Sequence, residues 1–356
     1  MPVLRHPLPA RRRRSRARAL SAVSGARHAP DEVLLVAPQW IGDAVMAQPL
    51  AARLAADGAR VIALALPSVA PVLRAMPGVA EVVEVALAHG RLDWRLRRRV
   101  AASLRARRLR AAYVLGNNVK SRLIPWLARI PLRIGYRGEA AGWLLTRALP
   151  EPPPRSDMRA RYLALAAAGA PPGAPELVAD AAAVAATLQR FELPAGAIAL
   201  CPGAEYGGAK RWPLEHFAAF ARLAQRDGLA VLVLGAPRDR DAGDAIIAAA
   251  PGVRNLCGAT DMAQAIALLA SARGVLSNDS GLMHVAAALG RPTLGLYGST
   301  DPRHTPPSAR RSATIWLQLD CSPCFARECP LGTLACLKGI APERAWDALR
   351  GLIEPD

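Results

Sequence analysis

Four stretches of the 356-residue chain carry side chains whose types and spacing could do chemistry. Asp43 follows Gly42 shortly after an apolar run, Val33-Leu34-Leu35-Val36-Ala37, where a strand's carboxyl end would meet a helix start. A carboxylate there either caps the helix or works on a substrate as a base, with Gly42 clearing the approach, and the two readings balance. The run Cys201-Pro202-Gly203-Ala204-Glu205 leads to Lys210-Arg211-Trp212-Pro213, turning an apolar strand into small residues, two cations and a helix start. That composition suits a phosphate cradle, in which glycines let backbone N–H groups approach an anion and Lys210 places an ammonium on it. Asn278-Asp279-Ser280-Gly281-Leu282-Met283-His284 offers acceptors and backbone donors at another helix start, although His284 alone reads as a packed helix residue. Finally, Cys321, Cys324, Cys329 and Cys336 supply enough thiolates for a structural zinc site. Pro323, Phe325 and Pro330 equally suit a compact loop of packed thiols, which is the preferred reading. Disulfides come last, because residues 1–30 lack the apolar segment and cleavage site of a secretory signal.

These groups need a frame, and the hydrophobic pattern supplies one. Apolar runs read as buried strands over 33–37, 60–66, 79–85 and 111–115, and again over 197–200, 230–235, 275–277 and 293–297. Helical spacing lies between them over 44–55, with Pro49 a kink, and over 71–76, 92–108, 157–168, 214–226 and 342–352. Such alternation predicts α/β architecture with parallel sheets covered by helices on both faces. Proline clusters at 152–154 and 171–175 precede a fresh start of the pattern beyond Ala181. The expected organisation is a basic disordered tail over 1–30, a first domain over 31–178 and a second over 179–356, the terminal helix packing back on the first domain. Polar loops expected at the ligand edge of the first sheet make Lys120, Arg122 and Arg137 anchors for an anionic acceptor, joined by Arg161. Asp239, after the strand over 230–235, is an acid suited to ribose hydroxyls.

The formal charge of +18 is unevenly spread: residues 1–30 hold eight Arg and no acid, and 91–161 hold eighteen Lys and Arg against four acids. The first half therefore faces an anionic partner. Aromatics interleaved with these cations for base stacking are missing, which argues against nucleic acid and for a membrane surface or phosphorylated acceptor. No apolar run approaches the roughly 20 residues that span a bilayer.

Taken together, the 278–284 motif, the 201–213 motif, and Asp320-Cys321-Ser322-Pro323-Cys324 running on to Glu328-Cys329-Pro330-Leu331-Gly332 make the chain resemble the lipopolysaccharide heptosyltransferases of glycosyltransferase family 9. The resemblance covers 31–356 and is narrowest toward members that add the second inner-core heptose. It implies a GT-B fold, two Rossmann-like domains facing a cleft, with donor in the second and acceptor in the first. It further implies inverting transfer from ADP-heptose to a heptosylated Kdo-lipid A acceptor, without a cofactor, at the cytoplasmic surface of the inner membrane. Asp43 becomes the general base and Lys210 the group that stabilises the leaving diphosphate. The donor set is Gly203, Glu205, Lys210, Asp239, Asp279, Ser280, Gly281 and His284. A helix start lowers the proton affinity of a carboxylate, so Asp43 is expected to take its proton late. The rival readings are transfer at another acceptor step, a sugar-nucleotide epimerase or hydrolase, and a non-catalytic nucleotide-binding protein.

Overall fold

Strands rich in Val, Leu, Ile and Ala, buried on both faces, set the architecture. The computed structural model describes residues 31–87, 92–138, 142–166, 168–205 and 207–354, so the expected basic tail lies outside the described residues. The first half runs β1 (Glu32–Val36), α1 (Ile41–Met46), α2 (Gln48–Ala56), β2 (Arg60–Ala65), α3 (Ala70–Arg74), β3 (Val79–Glu84), α4 (Trp94–Arg105), β4 (Ala111–Val114), α5 (Val119–Leu127), β5 (Leu132–Tyr136), β6 (Arg147–Leu149) and α6 (Met158–Leu163). The second runs α7 (Ala181–Phe191), β7 (Ile198–Cys201), α8 (Leu214–Arg226), β8 (Val231–Val233), α9 (Arg240–Ala249), β9 (Arg254–Asn255), α10 (Met262–Ser271), β10 (Gly274–Asn278), α11 (Gly281–Ala288), β11 (Thr293–Tyr297), β12 (Ser312–Trp316), α12 (Ala335–Lys338) and α13 (Pro342–Ile353).

The strands form two six-stranded sheets, ordered β3-β2-β1-β4-β5-β6 and β12-β11-β10-β7-β8-β9. All pairs are parallel, as in Val33 beside Val61 and Ala111, and Val275 beside Ala199 and Thr293. Both sheets have the doubly wound order whose direction reverses between first and fourth strands, leaving a crevice at the strands' carboxyl ends. The loops after β1, β4, β7 and β10, which carry most of the candidate side chains, are the ones at those reversals.

Each sheet keeps a private outer core: Leu34, Ile62 and Val114 against α4 and α5, and Leu200, Val233 and Leu294 against α8 and α13. On the inner faces, Leu35, Ala63, Leu232 and Val275 belong to one continuous apolar cluster that runs through both halves. Two glycines permit that closeness. A Cβ on Gly42 would stand 2.8 Å from the His284 ring, and one on Gly281 would stand 2.9 Å from Cβ of Ile41.

Several expectations are corrected here. The helix expected over 44–55 is two helices, since Pro49 has no N–H for the ladder and Ala47 separates α1 from α2. Lys120 and Arg122 lie on helix α5 rather than in a loop, because the Asn118 side chain accepts the Ser121 N–H at 2.9 Å and caps the helix. Ile134 to Tyr136, expected with Arg137 as a second polar loop, belong instead to strand β5. The terminal helix α13 buries Ala345, Trp346 and Leu349 in the core of the second sheet, not over the first domain.

Candidate active site

The Asp43 side chain springs from the first turn of α1, which has no side-chain cap, so the carboxylate is not the helix cap. It lines a cavity of about 570 Å³ walled by the loops after β1 and β4, by the proline run 152–154 and by His304 from the second half. Crowding by protein raises the Asp43 carboxyl above its ordinary value of 3.8; Asp279 adds to the rise, while His304, Lys210 and Arg161 oppose it. Desolvation is the largest influence on this shift, which runs upward, opposite in direction to the helix-start effect expected from sequence. Gly42 makes room for His284 rather than for a substrate.

Lys210 stands at the end of a one-turn 3-10 helix, Gly208–Lys210, and its Nζ donates to Asp279 Oδ2 at 2.6 Å. Thr300 Oγ1 donates to the same oxygen at 2.7 Å. The pair is sheltered, with side-chain exposures of 15% and 6%, so Asp279 reads as the holder of Lys210. The loop after β7 is tied to the end of β10 through Asn278, whose Oδ1 accepts the Trp212 N–H and whose Nδ2 donates to the Pro202 carbonyl. Gly207 and Gly208 do not form an open nest. A Cβ at Gly207 would meet the Arg327 carbonyl, Gly208 donates to Glu328 at 3.2 Å, and Ala209 donates to Arg327 at 2.9 Å. Those glycines seat the cysteine-bearing loop, and Ser280 leaves the start of α11 without a side-chain cap.

A second cavity, about 330 Å³, is lined by Gly203, Glu205, Asp239, Thr260, Ser280 and Gly281, with Ile41 of α1 facing them. Asp239 is 4% exposed, and its Oδ2 accepts the Ala236 N–H at 3.0 Å. A Cβ at Gly203 would meet that carboxylate, so Asp239 staples a turn in the wall of this cavity. Glu205 pairs with Arg238 at the rim. His284 is buried beside Asp279 and lines neither cavity; burial pushes it down to about 4, leaving it neutral at pH 7.

Of the four expected acceptor anchors, the large cavity brings in Lys120 and Arg161. Arg161 pairs with Glu151 at 2.7 Å and lies over the Tyr136 ring. Arg122 is 1% exposed and donates to the carbonyls of Asn117, Tyr136 and Arg137, which makes it a clamp between α5 and β5. Arg137 is exposed outside that cavity. Sequence reasoning missed His304, whose Nδ1 lies 2.6 Å from the Ser156 carbonyl, and Arg97, buried against the Lys120 carbonyl. His304 was findable only as a polar residue in the loop that follows β11. Arg97 was hidden inside a run of arginines.

The four cysteines line one cavity of about 20 Å³; Cys336 is buried, and Cys321 and Cys324 are exposed. Among the described residues, no three His, Cys, Asp or Glu side chains are gathered to hold a metal ion.

Residues 97–335 match the sequence profile of glycosyltransferase family 9 (heptosyltransferase). The chain is 36% identical to lipopolysaccharide heptosyltransferase 2 of Salmonella typhimurium, covering 91% of this chain and 99% of that protein. It is 37% identical to the Escherichia coli protein of the same name, covering 90% and 98%. A solved structure of E. coli ADP-heptose lps heptosyltransferase II superposes with a TM-score of 0.80 at 34% identity, over 90% of this chain and 98% of that one.

Proposed function

Because this chain belongs to glycosyltransferase family 9, the heptosyltransferases, and is a GT-B glycosyltransferase, we propose that it moves heptose from ADP-heptose to the first heptose of the lipopolysaccharide inner core. The observation that carries the reading is the arrangement between the two cavities. Asp43 borders the larger one and Ile41, two residues earlier, borders the smaller, so α1 is the partition between the space for an acceptor and the space for a sugar nucleotide.

In this reading the acceptor hydroxyl oxygen attacks the anomeric carbon from the Asp43 side. The bond from that carbon to the diphosphate oxygen breaks, ADP leaves with the electron pair, and the configuration inverts. Asp43 takes the hydroxyl proton as the new C–O bond forms, and its raised proton affinity makes that transfer less uphill. Lys210, held by Asp279 and Thr300, offers its ammonium to the leaving diphosphate, and the first turn of α11 adds backbone donors. Lys120 and Arg161 meet the anionic acceptor, while Arg122 and Asp239 act through the fold.

The test is ADP release from ADP-heptose with Kdo-lipid A, with its singly heptosylated form, or with no acceptor. Release only with the heptosylated acceptor is expected. Release without acceptor would make the protein a hydrolase, and release with Kdo-lipid A alone would move it to another step.

A further inference from the structure

Neither cavity uses the outward side of α4, α5 and the one-turn helix Gly142–Leu144. Resting on the reading above, in which the acceptor is carried by a lipid, we propose that this face docks the protein on an anionic bilayer surface.

The two helices lie side by side on one face of the first sheet, with Ala101 and Leu104 of α4 and Ile124 and Ala128 of the α5 region turned into the same core. Their opposite sides therefore form one exterior surface. On α4 that side is Arg95, Arg98 and Arg99, all exposed at three- and four-residue spacing. Near the far end, Arg107 and Arg110 are instead engaged with Glu81 and Asp31. Residues 92–147 hold fourteen Lys and Arg against Asp93 and Glu139, a local excess that needs an anionic counterpart.

Apolar surface accompanies the charge. Val119 and Trp126 stand seven residues apart, two turns along one side of α5, and both are exposed. Leu144 seats the Gly142–Leu144 turn on Leu123, which brings Trp143 edge-on to Trp126 at 5.8 Å between ring centroids. Trp143 is 68% exposed and Trp94, at the start of α4, is 41% exposed. Trp126 and Trp143, seventeen residues apart in sequence, are brought together by the fold. Indoles beside arginines match the headgroup layer, where amphipathic rings sit among phosphates. The same helices send Arg97, Lys120 and Ile124 into the wall of the larger cavity, so docking would bring that cavity to the membrane. Among the described residues no helix is long and apolar enough to cross a bilayer, so contact here would be with the surface.

The experiment is sedimentation of the full chain with vesicles of phosphatidylcholine plus phosphatidylglycerol, against vesicles of phosphatidylcholine alone. Binding to the anionic vesicles is expected, with a blue shift of tryptophan emission. Arg98→Gln with Arg99→Gln should weaken it on the order of 10–30-fold, the effect of two basic groups at such a surface. Trp143→Ala, alone and with Trp126→Ala, should weaken binding and remove most of the shift, with melting temperature checking the fold. All variants should transfer normally to a deacylated, water-soluble acceptor. Failure of the wild type on that acceptor, with vesicle binding intact, would count against the proposed reaction and leave docking supported. No binding to anionic vesicles, binding unchanged in both sets of variants, or binding to duplex RNA instead of vesicles would overturn the proposal.

Discussion

Replacing Lys210 with Ala should separate two roles of one ammonium. In the fold it neutralises Asp279, a carboxylate 6% exposed at the side chain and 2.6 Å away. Removing one partner of a buried pair costs about 3–5 kcal/mol. The remaining Thr300 donor at 2.7 Å places this case near the lower end, about 3 kcal/mol. For a chain of this length that corresponds to a fall in melting temperature of roughly 4–5 °C. Adding Asp279→Asn removes the stranded charge while keeping an oxygen for Thr300, so most of the lost stability should return. Turnover should not return, because charge that matters as the diphosphate leaves is still missing; a loss of about 10²–10³-fold is expected in both variants. Donor affinity should fall by much less. The assays are thermal melting, ADP-heptose titration and ADP release. Recovery of turnover in the double variant would refute the catalytic role, and an unchanged melting temperature in Lys210→Ala would refute the structural one.

The acid limb of the turnover–pH profile should reflect Asp43. Its proton affinity is raised by burial, so the active carboxylate form should be lost as pH falls through a value above 3.8, and a limb at or below that value would contradict the site's electrostatics. Gly42→Ala should gain about 1 kcal/mol of helix propensity and lose about 1–3 kcal/mol by overpacking against His284, a net loss of about 0–2 kcal/mol that lowers the melting temperature by at most about 3 °C, while displaced α1 lowers turnover. Normal turnover would show that the approach of α1 to α11 is not needed. Arg122→Ala should cost at least about 2 kcal/mol of stability, whereas Lys120→Ala should raise the acceptor KM at unchanged melting temperature; a reversed pattern would return Arg122 to the acceptor site.

The central strands were legible because apolar runs such as Val33–Val36 and Thr293–Tyr297 are buried on both sides and bounded by turn residues. Of the edge strands, β3 was legible too, whereas β6, β9 and β12 were not. Arg254–Asn255 and Ser312–Trp316 need cover on fewer sides, so mixed composition is tolerated there and periodicity fades. The place of Asp43 beside a cavity followed from a strand leading into a helix at the sheet's reversal. Its proton affinity did not, since it depends on desolvation and on charges from residues 161, 210, 279 and 304. Arg122 was misjudged because arginine is rarely buried, and only carbonyls from a neighbouring strand and loop make its burial tolerable. Gly207 and Gly208 invited a ligand reading because their occupants, Arg327 and Glu328, come from 120 residues later in the chain.

The most direct measurement of the central claim is the single-turnover rate of heptose transfer by Asp43→Asn, with donor affinity and melting temperature measured on the same protein. Asn keeps the volume and polarity of the position but cannot accept the hydroxyl proton. Because burial disfavours the Asp43 charge, the variant should be at least as stable as the parent at neutral pH, the difference shrinking as pH falls through the raised Asp43 value. ADP-heptose should bind normally, and transfer should fall by roughly 10²–10⁴-fold. Near-normal transfer by the folded variant would contradict the assignment of Asp43 as the base.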